Sequence, residues 1–382
     1  MKVLIDATDI IKPTDKHKSI PIWLLRILNT IPKDKKSDFS LLITPGMFDF
    51  FKGNYPGFNV LTFSPNGAIF PSPSYLAYLK SAYKLKKILR ENNFDCLFLQ
   101  GGLAKYLFFR HKEKVIVVEH DMKAVKDREP GWEGLYKLYI NRRTARKSYG
   151  YVDKIMAISE YTKKDILTLF PKLKADKIAV VYNSVVLSMR SNKPQDLHVD
   201  NYILYVNTLQ EYKNVATLIK AYNLIKDSVS LPLVLVGKNT AYWENAMIPY
   251  VNNNGFKERI IRLEGVSDSE LRYLYEHATL FVTPSTHEGF GYTPIEAAMC
   301  ECPVVSSKCE ALPETTRGLL NYYEPACDEQ ALANKIIEVL HSKPAASKLK
   351  KIAEEYRFAY SPELQYNHIF NMMCEECGIH TI

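Results

Sequence analysis

The chain has 382 residues, 47% of them hydrophobic and 24% charged, with a formal net charge of +8, the composition of a globular protein of about two domains and not of a disordered or fibrous chain. No apolar run approaches the roughly 20 residues needed to cross a bilayer, and the opening stretch Met1–Ala7, interrupted by Asp6, does not look like a secretory signal and reads better as a first buried strand. The seven cysteines are scattered and odd in number, which argues against a disulfide framework and fits a reducing cytoplasm; Cys374 and Cys377 form a lone CxxC with no second ligand pair nearby.

Charge is unevenly distributed. Residues 1–193 hold 34 Lys/Arg against 18 Asp/Glu, and the remainder holds 16 against 24. A basic half joined to an acidic half predicts either a solvated basic face or a domain that meets something anionic.

In chain order, Val3–Ile5, Ser40–Ile43, Cys96–Leu99 and Val115–Val118 read as short buried strands, with helices at Ile22–Thr30 and Leu76–Glu91 between them. A long polar and aromatic helix follows at Gly134–Tyr149, then a strand at Lys154–Ala157, a helix opened by Ser159 as N-cap, and a strand at Val180–Tyr182. Residues 188–199 are polar and aperiodic and read as a linker. The pattern then restarts with strand Tyr202–Val206, helix Val215–Lys226 and strand Pro232–Val236 ending in Gly237. Strand Ile260–Leu263, helix Asp268–His277, strand Leu280–Val282, helix Thr293–Cys300 and strand Pro303–Ser306 complete it. Strands alternating with helices predict parallel sheets with right-handed crossovers and ligands at the carboxyl ends of the strands.

The segment richest in chemistry is His287-Glu288-Gly289-Phe290-Gly291-Tyr292-Thr293-Pro294-Ile295-Glu296. Gly289 and Gly291 permit backbone conformations closed to other residues and close approach to a ligand. The spacing predicts a helix opening around Thr293, a capping type, with Pro294 at the favoured first position. Its free N–H groups and positive dipole end would attract an anion. One carboxylate, Glu288, lies on the loop, and the other, Glu296, lies about one turn into the helix.

This pattern resembles the retaining glycosyltransferases of group 1, or family 4, whose signature is two glutamates separated by seven residues, as in Glu288 and Glu296. Leu263–Leu271 resembles the family's loop before the helix that leads to the signature, and Glu301–Ser306 with Ala311–Glu314 resembles its continuation. Ile158–Asp165 and Val180–Val185 look like the family's closing elements of the N-terminal domain. Similarity is dense from about Val115 to Asp328 and thin before that. The resemblance implies an α/β fold of two Rossmann-like domains facing across a cleft (GT-B), with parallel sheets flanked by helices. Residues 1–187 would form the acceptor-side domain, joined by a C-terminal helix at about 359–382, and residues 188–358 would bind the nucleotide sugar. A hinge near Asn183–Pro194 would allow closure.

The resemblance also implies residue roles. Glu296 would hydrogen-bond the ribose hydroxyls of the nucleotide, a task suited to an ionised carboxylate. Glu288 would face the donor sugar, and the backbone amides of Gly289, Phe290, Gly291, Tyr292 and Thr293 would hold sugar and phosphates. Asn207 and Thr208 lie on the adjoining loop, where Lys213 matches the family's pyrophosphate-binding lysine. Many relatives place an arginine near Thr208; this chain does not. His120, with Asp121, matches the family's His-Asp pair at a strand end, near the donor sugar or acceptor. Relatives often carry a glycine-rich loop where this chain has Asp15–Ile22, so Lys16 or Lys18 would have to supply charge there.

The implied reaction moves a sugar from a nucleotide-diphosphate sugar to an acceptor hydroxyl on a glycan or lipid-linked acceptor, with retention at the anomeric carbon, in cell-surface polysaccharide or glycolipid biosynthesis. Retention can proceed through a covalent intermediate on Glu288, or through same-face attack in which the leaving phosphate takes the acceptor's proton. No Asp-x-Asp metal motif is present, so neither metal nor cofactor is expected. A nucleotide-sugar epimerase or phosphorylase on the same architecture is the alternative. A nucleic-acid binder would need a recognised motif, and none is present. The helix around Lys80–Arg90 places Tyr83, Leu85, Ile88 and Leu89 among five cations. It reads either as a core helix with a basic face or as a contact with an anionic membrane, which would make the enzyme cytoplasmic and peripheral on the inner face.

Overall fold

The computed structural model describes residues 1–14, 19–64, 75–100, 106, 107, 109 and 111–379. Lys16 and Lys18 thus lie outside the described residues. The chain divides into two compact units, Met1–Ser184 with Pro362–Ile382, and Val185–Ser361. The sequence reading had drawn these divisions at 187/188 and 358/359.

The first unit is built on seven parallel strands: β1 Val3–Asp6, β2 Phe39–Ile43, β3 Asn59–Thr62, β4 Cys96–Gln100, β5 Lys114–Glu119, β6 Lys154–Ala157 and β7 Ile178–Val180. Their spatial order is β3-β2-β1-β4-β5-β6-β7, with Val3 registered against both Phe39 and Cys96. Strands β1, β2 and β4 are buried along their whole length, as expected when helices cover both faces of a parallel sheet. The helix Pro362–Glu376 returns to pack on Ser19–Thr30. It is held by Ser184 Oγ donating to Gln365 Oε1 at 2.8 Å and by Lys154 Nζ at 3.2 Å from Glu376.

The second unit has six parallel strands: β8 Ile203–Val206, β9 Leu233–Val236, β10 Ile260–Leu263, β11 Leu280–Thr283, β12 Val304–Ser307 and β13 Asn321–Tyr323, in the order β10-β9-β8-β11-β12-β13. Its core gathers Tyr205, Leu218, Tyr222, Leu235, Val282, Val305 and Ile336. The chain reverses its direction of winding between β1 and β4 in the first unit and between β8 and β11 in the second. Such switch points leave a crevice at the strands' carboxyl ends.

Three sequence readings are corrected, and one pair of alternatives is narrowed. The helix after Gly291 begins at Tyr292, with Gly291 itself in the N-cap place at φ 84° and no side-chain cap. Thr293 is therefore inside the helix, because a left-handed residue supplies the turn that a capping side chain would otherwise stabilise. In the helix Tyr75–Asn92, Leu85 and Leu89 are core residues and Ile88 packs against them, leaving Tyr83 outward. Its apolar face packs in the domain core, which supports the domain helix with a basic outer face among the two readings of this segment. Residues 188–199 are not a free linker. Ser188 O accepts from Arg272 Nη1 at 2.6 Å, and Ser191 Oγ donates to Glu276 at 2.6 Å, both on the helix Asp268–His277. Finally, β7 ends at Val180 where the sequence reading began it.

Candidate functional site

The site grows from the ends of neighbouring strands β8 and β11. After β8 the chain turns through Asn207 and Thr208 to a short 3-10 turn, Glu211–Lys213. Asn207 Oδ1 accepts the N–H of Thr208 at 2.9 Å, and Tyr205 donates its hydroxyl to Thr208 O at 3.1 Å. A Cβ on Gly237 would stand 2.0 Å from Asn207 O, so only glycine lets the ends of β8 and β9 come this close. Asn214 then takes the left-handed conformation at φ 56° and opens the helix Val215–Ile225. Its amide donates to Pro284 O at 2.9 Å and Ala326 O at 2.8 Å, fastening three loops to one another.

After β11 comes the Glu288 loop. Lys213 Nζ stands 2.7 Å from Glu288 Oε1, with both side chains only 13% exposed. Ser285 Oγ donates to the same oxygen at 2.9 Å, so Oε2 is left without a donor among the described residues. The backbone of Glu288 is pinned by its N–H donating to Glu310 Oε2 at 2.9 Å, and the other oxygen of Glu310 lies 3.0 Å from His287 Nδ1. Beneath the loop, Ser285 O accepts from Ser307 Oγ at 2.6 Å and from Cys309 Sγ at 2.9 Å. Burial pushes the Cys309 thiol up to about 12, which keeps it a neutral donor.

Gly291 is required at its position: a Cβ there would meet Leu312 Cδ2 at 2.3 Å, in a backbone conformation that other residues rarely adopt. Phe290 is buried and packs edge-on to Tyr360, while its carbonyl accepts Thr315 Oγ1 at 2.5 Å. Its side chain is therefore an anchor for the loop. Glu296 accepts the hydroxyl of Tyr275 at 3.0 Å. Burial, followed by the charge of Glu296, raises Tyr275 well above its ordinary value, so it stays a proton donor to that carboxylate. The structure thus brings together Asn207, Thr208, Lys213, Glu288 and the segment Gly289–Glu296 on the second unit.

Sequence reasoning missed Ser285, Glu310, Asn214 and Tyr275. Ser285 and Glu310 flank stretches already singled out, and Tyr275 lies on the inward side of a predicted helix. Asn214 carries the only sequence signal of its kind among them, being a residue type that tolerates left-handed backbone just before a helix.

His120 belongs to the first unit, just past the end of β5. It packs edge-on to Trp23 with ring centroids 4.7 Å apart, and its buried Nε2 has no partner among the described residues. Burial lowers its pKa to about 4, so the ring is neutral near pH 7. Nearby on the same sheet edge, Asp6 accepts from Thr8 N, Thr8 Oγ1 and, across the switch point, Gln100 N at 3.3 Å. Glu119 accepts from Tyr149 at 3.1 Å. Burial raises both carboxyls to about 7. Among the described residues, no cluster of His, Cys, Asp and Glu has the arrangement of a metal site.

Comparison with known proteins places this geometry in a family context. Residues 190–356 match the family model described as Glycosyl transferases group 1, and residues 43–188 match Glycosyltransferase Family 4. The chain is 28% identical to O-antigen chain mannosyltransferase B of Escherichia coli over 53% of its own length and 55% of that protein's. It is 32% identical to O-antigen chain mannosyltransferase RfbU of Salmonella typhimurium over 52% and 54%. The chain spans about half the length of the curated relatives it matches. Among solved structures, HepE of Anabaena in complex with UDP superposes with a TM-score of 0.74 at 18% identity, covering 98% of this chain and 100% of that one. Sucrose-phosphate synthase of Thermosynechococcus elongatus gives 0.72 at 16% identity over 98% and 99%. Likeness at these identities shows the shared fold of two Rossmann-like domains.

Proposed function

Because the chain belongs to the group 1, family 4 glycosyltransferases, we propose that it moves a hexose from a nucleotide-diphosphate sugar to an acceptor hydroxyl with retention of anomeric configuration. The observation that carries this reading is the Lys213–Glu288 pair at the switch point between β8 and β11, beside Glu296 on the following helix. A buried ammonium at a strand end is suited to a diphosphate, whose charge grows as the sugar–phosphate bond breaks. Glu288 holds that ammonium in place through Oε1, and its Oε2 takes a sugar hydroxyl. Glu296, backed by Tyr275, takes the ribose hydroxyls, and the backbone of Gly289–Thr293 with the loop Asn207–Thr208 lines the donor. The mannosyltransferase relatives support a hexose and an O-antigen-like glycan as acceptor, and the UDP complex of HepE supports a nucleotide-diphosphate donor.

On this reading Glu288 is a binding residue. A carboxylate already neutralised by a lysine 2.7 Å away is a weak nucleophile, and same-face attack needs none: the leaving phosphate takes the acceptor's proton while Lys213 stabilises it. Neutral His120 donates or accepts one hydrogen bond with a sugar hydroxyl. Lys213 does the work that a divalent ion does in other transferases, so no metal or organic cofactor is required. On this reading the reaction belongs to polysaccharide or glycolipid synthesis, which the O-antigen mannosyltransferase relatives support, and would run on the cytoplasmic face of a membrane. Among the described residues no helix is long and apolar enough to cross one.

The test is to incubate the protein in EDTA with UDP-, GDP- and ADP-hexoses, with and without a glycan acceptor. Transfer only in the presence of acceptor, with retention, is expected. Interconversion of the donor sugar without acceptor would replace the transferase by an epimerase. Turnover lost in EDTA and restored by manganese would overturn the metal-free account.

A further inference from the structure

The helix Gly131–Tyr151 of the first unit carries five of the fifteen large apolar side chains exposed among the described residues. Trp132 is 79% exposed, Tyr136 54% and Tyr139 57%, and Leu135 is exposed beside them. Trp132, Tyr136 and Tyr139 recur at spacings of four and three, and Arg143, Arg146 and Lys147 continue the same side of the helix at its period. The opposite side holds Gly134, Ser148 and Tyr149, which are buried, and Ala145, which packs on the core. One outward stripe therefore runs from an aromatic half into a cationic half, joined by Arg143 Nη1 donating to Tyr139 Oη at 3.5 Å. Arg143, Arg146 and Lys147 are exposed and have no carboxylate within ion-pair distance among the described residues.

We propose that this outward face is a docking surface for an anionic phospholipid bilayer. Indole and phenol rings sit well at the depth of lipid headgroups, with an apolar body inward and a polar edge toward water. Cations beside them are drawn to the negative surface of the leaflet, each adding to the attraction at short range. A glycan could stack on the aromatic half, but it would leave the cationic half without a ligand. The stripe as a whole matches a surface that is apolar and anionic at once. This is a different helix from the basic one at Tyr75–Asn92, whose Leu85, Ile88 and Leu89 pack in the core. The proposal does not depend on the transferase reading, since its readout is binding to lipid.

The full chain is floated with vesicles of phosphatidylcholine alone and of phosphatidylcholine mixed with phosphatidylglycerol. Of the three tryptophans, Trp23 and Trp243 are buried, so a blue shift of fluorescence on mixing with vesicles reports Trp132. Binding to the mixed vesicles only, weakened by salt and accompanied by that shift, is expected. The triple variant Arg143→Gln, Arg146→Gln, Lys147→Gln should lose about tenfold or more in binding together with most of its salt dependence. The variant Trp132→Ala, Tyr136→Ala, Tyr139→Ala should lose a similar factor while keeping the salt dependence. Lys80→Gln, Lys87→Gln and Arg90→Gln together should change binding by less than about twofold. All these side chains are exposed, and unchanged thermal melts certify the fold. Equal binding to neutral vesicles, wild-type binding by either variant of the long helix, or a Trp132 shift produced by oligosaccharide and not by vesicles would overturn the proposal.

Discussion

Both units place polar groups at the carboxyl ends of their parallel strands, and they treat charge in opposite ways. In the second unit Lys213 and Glu288 face each other as an ion pair at the switch point, and Glu296 is braced by a neutral phenol. In the first unit Asp6, Glu119 and His120 sit at strand ends without counter-ions among the described residues, and burial moves all three toward neutrality near pH 7. A site that keeps its charges suits a ligand whose own charge changes, as a leaving diphosphate does. A site that suppresses them suits hydroxyl groups, which need directed hydrogen bonds and no net field. On the proposed function the contrast assigns the donor to the second unit and hydroxyl recognition to the first.

The largest effect should follow from breaking the charged side of this contrast. Lys213→Ala should lower kcat by roughly 10²–10³-fold, the size seen when one preorganised stabilising donor is removed. Steady-state kinetics check this, and a fall confined to KM would place Lys213 in ground-state binding alone.

The uncharged side predicts a pH effect with a definite sign. Asp6 and Glu119 have folded pKa values near 7, above the values of 3.8 and 4.5 of the unperturbed groups, so the folded state holds their protons more tightly. The first unit should lose stability as pH rises from about 4 to about 7. His120 acts with the opposite sign, because its folded pKa near 4 lies below 6.5 and its contribution grows as pH rises through that window. Two carboxyls against one imidazole leave a net decline. Glu119→Gln keeps an acceptor for Tyr149 and should flatten this slope in urea titrations at pH 5 and pH 8. An unchanged slope would show that Glu119 does not hold its proton.

A smaller loss is expected at the hinge between loop and helix. Gly291→Ala should destabilise the second unit by about 1–2 kcal/mol from the left-handed backbone, with a further cost from displacing Leu312. Thermal or urea unfolding measures it. Thr293→Ala should change stability by less than about 0.5 kcal/mol, the range of substitutions away from special features, since Gly291 and not Thr293 occupies the N-cap place.

Much of this organisation was legible in residue order. Buried parallel strands such as β4 and β11 are largely apolar runs, and Ser159 announces its helix by capping. Two edge strands were not legible: β3 and β13 carry Asn59, Thr62 and Asn321, and half-exposed edges need no hydrophobic run, whereas the edge strand β10 could be read from its apolar residues. Within the site, Glu288, Glu296 and Lys213 could be singled out, but their pairing could not. Lys213 and Glu288 are 75 residues apart, and only the adjacency of β8 and β11 brings them together. The outward stripe of the helix Gly131–Tyr151 was equally hidden, because which side of a helix is covered depends on the sheet it packs against.

The central claim is that the strand ends of β8 and β11 hold the diphosphate of the donor. Equilibrium binding of UDP, GDP and ADP in EDTA, to the wild-type chain and to Lys213→Ala, tests it most directly. The account predicts that at least one diphosphate binds the wild type and that the substitution weakens it by about tenfold or more, the loss of a charge-assisted contact. A diphosphate that binds both proteins equally would contradict it.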